Sequence, residues 1–281
     1  MPLTTTTEML RKAQEQGYAV GAFNVENMEM AQAIISAAEE LKAPVILQTT
    51  PSTVRYAGTD LYAANVRALA EKASVPVAMH LDHGDSFALC AQALRSGYTS
   101  VMIDGSKLPL EENIALTKKV CEMCSAAGIP VEGEIGRVGG KEDDLESDGG
   151  YTIPEEAVQF EKESGLFSMA VGVGTAHGFY KEEPKLNKEL ITTLRGMLSA
   201  PMVLHGASGL SDDDVRDCIS RGICKVNFAT ELRVAYTQGV KAVLEENPSV
   251  FDPKAYGKEG RRRVKELVME RMRVCGCDGK A

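Results

Sequence analysis

The strongest constraint on the fold of this chain is the regular alternation of short apolar runs with amphipathic stretches. Eight such runs recur at about the length of one βα unit, roughly 30 residues. They occupy residues 19–25, 45–50, 77–82, 100–103, 130–135, 167–173, 202–205 and 223–228. Strands that alternate with helices pair in parallel through right-handed crossovers, and an unbroken series of eight favours closure of the sheet. The pattern therefore predicts an α/β fold, the (β/α)8 TIM barrel.

Helical periodicity fills the intervals between these runs. Apolar side chains repeat every three or four positions in residues 28–41, 59–73, 86–96 and 110–127. Thr5, followed three positions later by Glu8, predicts a capping box for an N-terminal helix. Ser211, followed by three aspartates, predicts the N-cap of another helix. Residues 252–253 and 261–273 predict one or two extra helices after the barrel.

No linker, low-complexity tract or shift of composition divides the chain, so we predict a single domain over residues 1–281. The connections between the predicted elements are short, with one exception. The stretch at 139–150 is long, polar and bounded by glycines, which predicts a mobile loop.

Charge and composition exclude several classes of protein. The formal net charge of −9 argues against general binding to nucleic acid or to an anionic membrane, whereas a small anionic ligand is compatible with it. The N-terminus lacks the apolar core of a secretory signal, and no run of about 18 apolar residues is present to span a bilayer. Seven cysteines, an odd number without such a signal, indicate reduced thiols. We therefore expect a cytoplasmic protein.

Polar residues end nearly every predicted strand, where (β/α)8 barrels place their chemistry. These positions carry Asn24, Thr50, Asp82, His83, Asp104, Glu132, Glu134, His177, His205 and Asn227. Three of the four histidines in the chain lie at such ends, and neutral imidazole is a common metal ligand. One histidine at a strand end is usually structural, but three that converge, with an open fourth position, form a catalytic Zn2+ site. The pattern favours zinc at His83, His177 and His205, provided that the barrel brings them together.

Acidic side chains accompany these histidines. Asp82, next to His83, is suited to move the proton of a substrate hydroxyl near a metal. Glu132 and Glu134 share one face of their strand, and two carboxylates in a packed apolar core would be costly. We therefore expect both at the polar mouth of the barrel or on a cation. The acidic run at 142–144 is also compatible with a solvated loop.

Glycine-rich stretches close the sixth and seventh predicted strands, at 172–178 and 205–209, and the run NFAT at 227–230 closes the eighth. The loops after strands seven and eight of such barrels commonly present backbone N–H groups to a phosphate. None of the three stretches is a Walker A motif or a dinucleotide fingerprint. Together with the metal pattern, they suggest a phosphorylated substrate.

These motifs, in this order, resemble those of the class II, metal-dependent ketose-bisphosphate aldolases. That family includes fructose-1,6-bisphosphate and tagatose-1,6-bisphosphate aldolases. The resemblance covers essentially the whole chain, and it rests on GAFNVEN at 21–27, PVILQTT at 44–50, HLDHGDSF at 80–87, SVMIDGS at 100–106, EGEIGRVGGKEDD at 132–144, GVGTAHGFY at 172–180, LHGASGLS at 204–211, KVNFATEL at 225–232 and FDPKAY at 251–256. It implies a lyase that reversibly cleaves one of these bisphosphates, with Zn2+, to dihydroxyacetone phosphate and glyceraldehyde 3-phosphate.

The resemblance also implies how metal ions are bound. His83, His177 and His205 match the ligands of the catalytic Zn2+. Asp104 and Glu134 match a second divalent metal position. A monovalent cation, Na+ or K+, is implied beside the substrate phosphate.

Catalytic and substrate-binding roles follow from the same resemblance. Asp82 matches the group that exchanges a proton with the C4 oxygen of the sugar. Glu142 matches the acid that handles the proton at the dihydroxyacetone-phosphate carbon, and Asn227 matches a contact to the developing enediolate. The implied substrate-binding residues are Asn24, Thr50, Gly178, Lys181, Gly206, Ala207, Ser208, Asn227, Phe228, Ala229, Thr230 and Lys258.

Three features of this chain depart from the pattern of the family that it resembles. Thr50 stands where the family usually has a serine on the aldehyde side of the substrate. Lys258 stands where many members have an arginine that binds the distal phosphate in the site of a neighbouring subunit. A lysine offers a point charge there in place of the bidentate guanidinium of arginine. The HGAS and NFATE motifs are closer to the tagatose branch than to the glycolytic one. The resemblance further implies a homodimer or homotetramer, and it is compatible with a stabilising partner subunit.

Other functions on the same fold remain open from the sequence. A related barrel could act on another ketose phosphate. A noncatalytic sugar-phosphate binder or partner subunit is a second alternative, although such a chain would be expected to lose Asp82 or a metal ligand, and this chain retains them. An amidohydrolase usually has an HxH motif on its first strand, which ends here in AFNVEN.

Overall fold

The computed structural model describes residues 3–142, 145–147, 149–178, 180 and 184–281, with the backbone alone at 141–142 and 145–147. Its strands are β1 Val20–Asn24, β2 Val45–Thr49, β3 Val77–Gly84, β4 Ser100–Ile103, β5 Val131–Ile135, β6 Gly139–Glu142, β7 Leu145–Ser147, β8 Ser168–Val171, β9 Ala176–His177, β10 Met202–Leu204 and β11 Ile223–Phe228. Its helices are α1 Thr6–Gln16, α2 Met28–Leu41, α3 Pro51–Ala57, α4 Thr59–Ala70, α5 Phe87–Ser96, α6 Leu110–Ser125, α7 Pro154–Ser164, α8 Lys188–Met197, α9 Asp212–Ser220, α10 Thr230–Glu246 and α11 Pro253–Cys275.

Eight strands form a closed barrel in the order β1-β11-β10-β8-β5-β4-β3-β2. Every neighbouring pair is parallel, and β1 closes the sheet by pairing with both β2 and β11. Each of the eight predicted apolar runs overlaps one barrel strand, so the predicted TIM-barrel fold is confirmed. The third strand is longer than predicted, because it continues through His83 to Gly84 past a register shift against β4.

Most predicted helices are present, and the cap predicted at Ser211 is confirmed. The Ser211 side chain accepts from the backbone N–H of Asp214, and Ser86 does the same for Leu89. The predicted capping box at Thr5 is wrong, because its side chain makes no capping hydrogen bond. Helix α3, which starts at Pro51, was not predicted, since seven residues are too few to show a clear period. The C-terminal extension is one continuous helix, α11, which packs on α2 and α10.

The stretch at 139–150, predicted as a loop, contains two short strands. Strand β6 pairs antiparallel with β7 and parallel with β9, so a small three-stranded sheet covers one side of the barrel mouth. Gly140 makes this approach possible, because its φ is 80° and a Cβ there would lie 2.3 Å from the carbonyl oxygen of His177. The sheet therefore attaches this segment to His177, a predicted metal ligand.

Most of the apolar core lies between the barrel and its surrounding helices, where the outward side chains of the strands meet the apolar faces of the helices. A separate apolar cluster of Met102, Ala170 and Val203 lies inside the barrel. In the strand register, Met102 is beside Glu132 and Val203 is beside Lys225, so the barrel interior combines apolar and charged side chains. Within the described residues, no helix is long and apolar enough to cross a membrane.

Candidate active site

A cavity opens at the C-terminal end of the barrel, where the βα loops meet. The residues that line it lie in the C-terminal parts of β1, β3 and β11 or follow β8, β10 and β11, so five barrel strands and their connections contribute to one site. The lining residues are Asn24, Asp82, His177, Gly178, Gly206, Ser208, Asn227, Ala229, Thr230 and Arg233. Nine of these ten are residues that the sequence analysis singles out, and Arg233 is the addition.

The three predicted histidine ligands converge beside this cavity. One ring nitrogen from each histidine lies within 4.8 Å of one from each of the other two, although the residues come from β3, β9 and the loop after β10. The His83 ring packs edge-on against the rings of His177 and His205, with centroids 4.9 and 4.6 Å away. His83 has a φ of 47°, which is a strained conformation for a residue with a Cβ. It lies where the register between β3 and β4 shifts. The convergence that the sequence could not establish is therefore present.

Two carboxylates fix the orientation of two of these rings, those of His83 and His205. His83 Nδ1 lies 2.8 Å from Asp104 Oδ2, and His205 Nε2 lies 2.9 Å from Glu132 Oε1. Ionised carboxylates only accept hydrogen bonds, so each of these ring nitrogens carries the proton. The remaining nitrogens, His83 Nε2 and His205 Nδ1, face each other at 2.8 Å. Two lone pairs at this distance repel, and binding of both nitrogens to one metal ion would remove the repulsion, so the donor set fits Zn2+.

A second group of metal-binding atoms adjoins the first. His83, Asp104 and Glu134 also lie within 4.8 Å of one another. Glu134 Oε2 is buried and has no hydrogen-bond donor among the described residues, while it lies 3.6 Å from His205 Nδ1. Burial, together with the nearby charge of Asp104, raises the pKa of Glu134 to about 8. A buried carboxylate in this state is suited to bind either a cation or a proton.

Asp104 behaves in the opposite way to Glu134. Burial alone would raise the pKa of Asp104, but the hydrogen bonds from His83 and Ser106 outweigh it and hold that pKa well below its usual range. Asp104 is therefore a carboxylate that already has donors in this structure, whereas Glu134 accepts from Val138 N–H at Oε1 and has an unpartnered Oε2 within the described residues.

Asp82 is held in place by two amide side chains. It is 1% exposed, and it accepts hydrogen bonds from Gln48 Nε2 at 3.0 Å and Asn227 Nδ2 at 3.1 Å. Gln48 also donates to Asn24 Oδ1 at 2.8 Å, which joins four polar side chains at the base of the cavity. Asn24 Nδ2 and Asn227 Oδ1 are buried without partners in the described part of the chain, so they can pair with a polar ligand. Gln48 was not predicted, although it belongs to the QTT end of β2.

The glycine-rich loops form the other wall of the cavity. Gly178, Gly206, Ser208 and Ala229 line it, and α10 begins there at Thr230. Ser208 Oγ accepts from the backbone N–H of Ala229 at 3.2 Å, which connects the loops after β10 and β11. Backbone N–H groups and a helix N-terminus in one concave wall are suited to bind an anion.

Other predicted binding residues lie away from the described lining. Ala207 and Phe228 are buried, and the Phe228 ring stacks on Phe23 behind the cavity. Thr50 is buried at the start of α3, where its hydroxyl lies 3.2 Å from that of Thr53. Lys258 is exposed on α11, in a groove beside α2 rather than in the cavity of its own chain.

Two predicted site residues fall outside what the structure describes. Lys181 lies outside the described residues altogether. Glu142 ends β6, but its side chain lies outside the description as well. Their roles remain predictions from the family resemblance.

Glu132 was expected at the polar mouth of the barrel or on a cation, and the first of these two locations is wrong. This residue is not at the polar mouth but in the buried interior of the barrel, where Lys225 Nζ donates to its Oε2 at 2.8 Å. A buried carboxylate is tolerated when a buried countercharge pairs with it, and Lys225 lies almost a hundred positions away in the sequence. Burial alone would raise the pKa of Glu132, but the charge of Lys225 and the hydrogen bond from His205 lower it.

Arg233 is the other functional candidate that sequence reasoning missed. Its side chain lines the cavity, and its Nε donates to Glu26 Oε1 at 2.6 Å. Glu26 is held in turn by Thr53, whose hydroxyl donates to Oε2 at 2.8 Å. Its position in the sequence could have indicated this role, since Arg233 lies less than one helical turn after the start of α10, beside the residues at 227–230 that were predicted to bind substrate.

Comparison with known proteins identifies the family to which this geometry belongs. Residues 4–280 match the family described as class-II fructose-bisphosphate aldolase. The chain is 44% identical, over 283 aligned positions and the full length of both chains, to the D-tagatose-1,6-bisphosphate aldolase subunit GatY of Klebsiella oxytoca. Its fold is similar to the YdjI aldolase of Escherichia coli K12, with a TM-score of 0.87, 36% identity and 99% of each chain covered.

A second solved structure agrees with this placement. A Coccidioides immitis protein described as a candidate fructose-1,6-bisphosphate aldolase has a TM-score of 0.89 at 29% identity, with 97% of this chain and 96% of that chain covered. The match to the family spans both the barrel and the C-terminal helices, and it includes all the residues that line the cavity. This chain belongs to the class II fructose-bisphosphate aldolase family.

Proposed function

We propose that this protein cleaves tagatose 1,6-bisphosphate reversibly to dihydroxyacetone phosphate and glyceraldehyde 3-phosphate. The observation that carries the proposal is the convergence of three histidines beside Asp82, at the edge of a cavity lined by Gly178, Gly206 and Ser208. The choice of sugar is supported by the 44% identity to a relative named for tagatose bisphosphate. His83, His177 and His205 would hold Zn2+, which supplies Lewis-acid stabilisation for the negative charge that develops next to the C2 carbonyl.

Asp82 is the proposed base for the C4 hydroxyl. Cleavage of the C3–C4 bond turns C4 into an aldehyde, which requires removal of the proton on the C4 oxygen. Gln48 and Asn227 donate one hydrogen bond each to the two oxygens of Asp82, so its carboxylate is held in a fixed orientation beside the cavity. In the condensation direction the same carboxyl returns the proton.

Glu142 is proposed to act on the other proton, at C3 of the dihydroxyacetone-phosphate half. It ends β6, the strand that pairs with β9 and hence with His177. Asn227 is proposed to contact the oxygen on which negative charge develops, since its Nδ2 lies at the base of the cavity and carries a second hydrogen besides the one donated to Asp82. Separate acids for the two protons allow cleavage and the later protonation to proceed independently.

The cavity wall that carries Gly178, Gly206, Ser208 and 229–230 is the proposed seat of the dihydroxyacetone phosphate, because backbone N–H groups and a helix N-terminus favour a dianion. Lys181 and a monovalent cation are proposed to add positive charge there. The group of His83, Asp104 and Glu134 is the proposed second position for a divalent ion.

We also propose a cytoplasmic homo-oligomer. Lys258 lies exposed on α11, away from the cavity of its own chain, so it can contact the distal phosphate only in the site of a neighbouring subunit. The relative from Klebsiella oxytoca is named as a subunit, and a stabilising partner is therefore compatible with the proposal.

The direct test of the proposed function is steady-state kinetics with the two bisphosphates, in zinc-loaded protein at matched concentration. We expect kcat/KM for tagatose 1,6-bisphosphate to exceed that for fructose 1,6-bisphosphate by roughly tenfold or more, about 1.4 kcal/mol of differential transition-state binding. A preference for the fructose substrate would change the assigned sugar. Absence of turnover with either, despite bound zinc, would favour the noncatalytic binder.

Arg233 gives a second test, directed at phosphate recognition. It is the cationic side chain among the described residues that line the cavity, and Glu26 holds its guanidinium in place. We expect Arg233→Met to raise KM for the bisphosphate roughly tenfold, because a charged hydrogen bond is lost from a partly exposed position. Zinc content should not change, and kcat should change less than KM.

Arg216→Met is the matched control, since Arg216 is also an ion-paired arginine but lies on α9, paired with Asp213 away from the cavity. Arg233→Lys should recover part of the loss because it restores the charge without the planar fork. A KM in Arg233→Met equal to that of Arg216→Met would exclude contact between Arg233 and the substrate.

A further inference from the structure

Beneath the histidine cluster, the interior of the barrel contains a buried group of charged and polar side chains that the proposed mechanism does not use. Lys225, Glu132 and His80 are all between 0% and 1% exposed. They come from β11, β5 and β3, and their side chains meet in the middle of the barrel. A lysine without access to water is rare in a folded protein, so its position requires an explanation.

The contacts of Lys225 and Glu132 lead toward the metal site. Lys225 Nζ donates to Glu132 Oε2 at 2.8 Å, and Glu132 Oε1 lies 2.9 Å from Nε2 of His205. Glu132 thus bridges a buried ammonium group and a proposed zinc ligand with its two oxygens. His80 lies at the side of the bridge, where its Nε2 is 3.8 Å from Glu132 and its Nδ1 is 2.8 Å from Ser100 Oγ.

This arrangement determines which nitrogen of His205 faces the zinc ligands. The ammonium group of Lys225 is the countercharge that allows Glu132 to remain a carboxylate inside the barrel. A carboxylate accepts hydrogen bonds and donates none, so Nε2 of His205 must donate and Nδ1 must keep its lone pair. That lone pair faces His83 Nε2, 2.8 Å away, so both nitrogens would be available as ligands to one metal ion.

Neighbouring side chains isolate the bridge from water. In the strand register, Glu132 lies beside Met102 and Lys225 lies beside Val203, and both apolar residues are fully buried. No alternative donor or acceptor from solvent is therefore available to either charge. The orientation of His205 then depends on the pair itself.

We propose that Lys225 and Glu132 are positioning residues that fix the orientation and tautomer of His205 and so set the affinity of the histidine cluster for zinc. The proposal rests on the proposed function, since it assumes that His205 binds the metal. Lys225 acts only through Glu132, because its ammonium group contacts the carboxylate and the carboxylate contacts the imidazole.

The experiment measures zinc affinity and does not depend on turnover. Zinc dissociation constants are determined by competition with a chromophoric chelator for wild type, Glu132→Gln, Lys225→Met and the double variant. We expect each single variant to bind zinc about 10 to 100-fold more weakly, the usual effect of losing an outer partner of a histidine ligand. The double variant should be no weaker than Glu132→Gln alone, since Lys225 has no separate route to His205.

The ligand-field absorption of Co2+-loaded protein gives an independent readout of ligand orientation. We expect the spectrum to change in both single variants, whereas a variant that loses only general stability would keep it. Thr49→Val is the matched control, because Thr49 is also a buried strand residue with one side-chain hydrogen bond, to Tyr98, outside this network. Its zinc affinity and Co2+ spectrum should equal those of wild type.

Three results would overturn the proposal. Zinc affinity within twofold of wild type in Glu132→Gln would show that the bridge does not position His205. An unchanged affinity in Lys225→Met would show the same for Lys225, and a further loss in the double variant would show a separate action. If Lys225→Met does not fold, Glu132→Gln, which keeps the shape of the side chain, still decides the matter. Failure of wild type to bind zinc at all would instead contradict the proposed function.

Discussion

His205→Ala is expected to remove zinc and aldolase activity together. The His205 side chain is fully buried, and its Nδ1 lies 2.8 Å from Nε2 of His83, so alanine there removes one of the three clustered nitrogen ligands. Lewis-acid stabilisation contributes several kcal/mol to the transition state, so the loss of activity should be on the order of 10³-fold or more. The measurement is zinc per subunit by mass spectrometry, with cleavage rates on the same samples.

Chelation of the wild-type protein should produce the same loss, and added Zn2+ should reverse it. His80→Asn is the control, because His80 is the remaining histidine and its Nδ1 contacts Ser100 rather than the cluster. An asparagine there can keep that contact, and zinc should remain bound. Full activity in a zinc-free His205→Ala protein would contradict the metal assignment.

Asp82→Ala is expected to keep zinc and to lose cleavage by a factor on the order of 10²–10⁴, the range of a missing general base. Asp82 is placed by Gln48 and Asn227 and is not one of the three clustered histidines, so its removal leaves the ligand set intact. The decisive measurement is exchange of the C3 hydrogen of dihydroxyacetone phosphate with deuterated water, followed by NMR. This exchange involves no aldehyde, and Asp82→Ala should therefore retain it.

Glu142→Ala is the matched comparison for this experiment, because it removes the other proposed acid. It should also keep zinc and bind dihydroxyacetone phosphate, but it should exchange the C3 hydrogen much more slowly. If Asp82→Ala instead loses zinc, and added metal restores its turnover, then Asp82 has a structural role. Exchange at the wild-type rate in Glu142→Ala would remove that residue from the mechanism.

The barrel could be predicted from the sequence because its signal is periodic. Each apolar run marks a strand that is buried on both faces, and each amphipathic stretch marks a helix with one buried face. The segment at 139–150 shows where this reasoning fails. Its glycines and charges indicate a loop, but Gly140 has no side chain, and β6 can therefore approach β9 closely enough to pair.

The types of residue in the site were also determined by the sequence. Polar residues at strand ends are exceptional in a barrel of buried strands, so His83, His177, His205 and Asp82 were visible as candidates before any contact was known. Their chemistry is local to each side chain: imidazole binds metal and a carboxylate moves a proton, wherever the fold places them.

Only the tertiary structure decided how these groups are oriented and which partners control them. Glu132 was expected at the mouth of the barrel, and it lies in the interior because Lys225, on a strand far along the chain, supplies its countercharge. Likewise, Gln48 reaches Asp82 and Arg233 reaches Glu26 across pairs of elements that barrel closure brings together. The sequence alone determined which residues could do chemistry, because that depends on side-chain type. Burial, tautomer and pairing depend on distances between strands, which exist only once the barrel has closed.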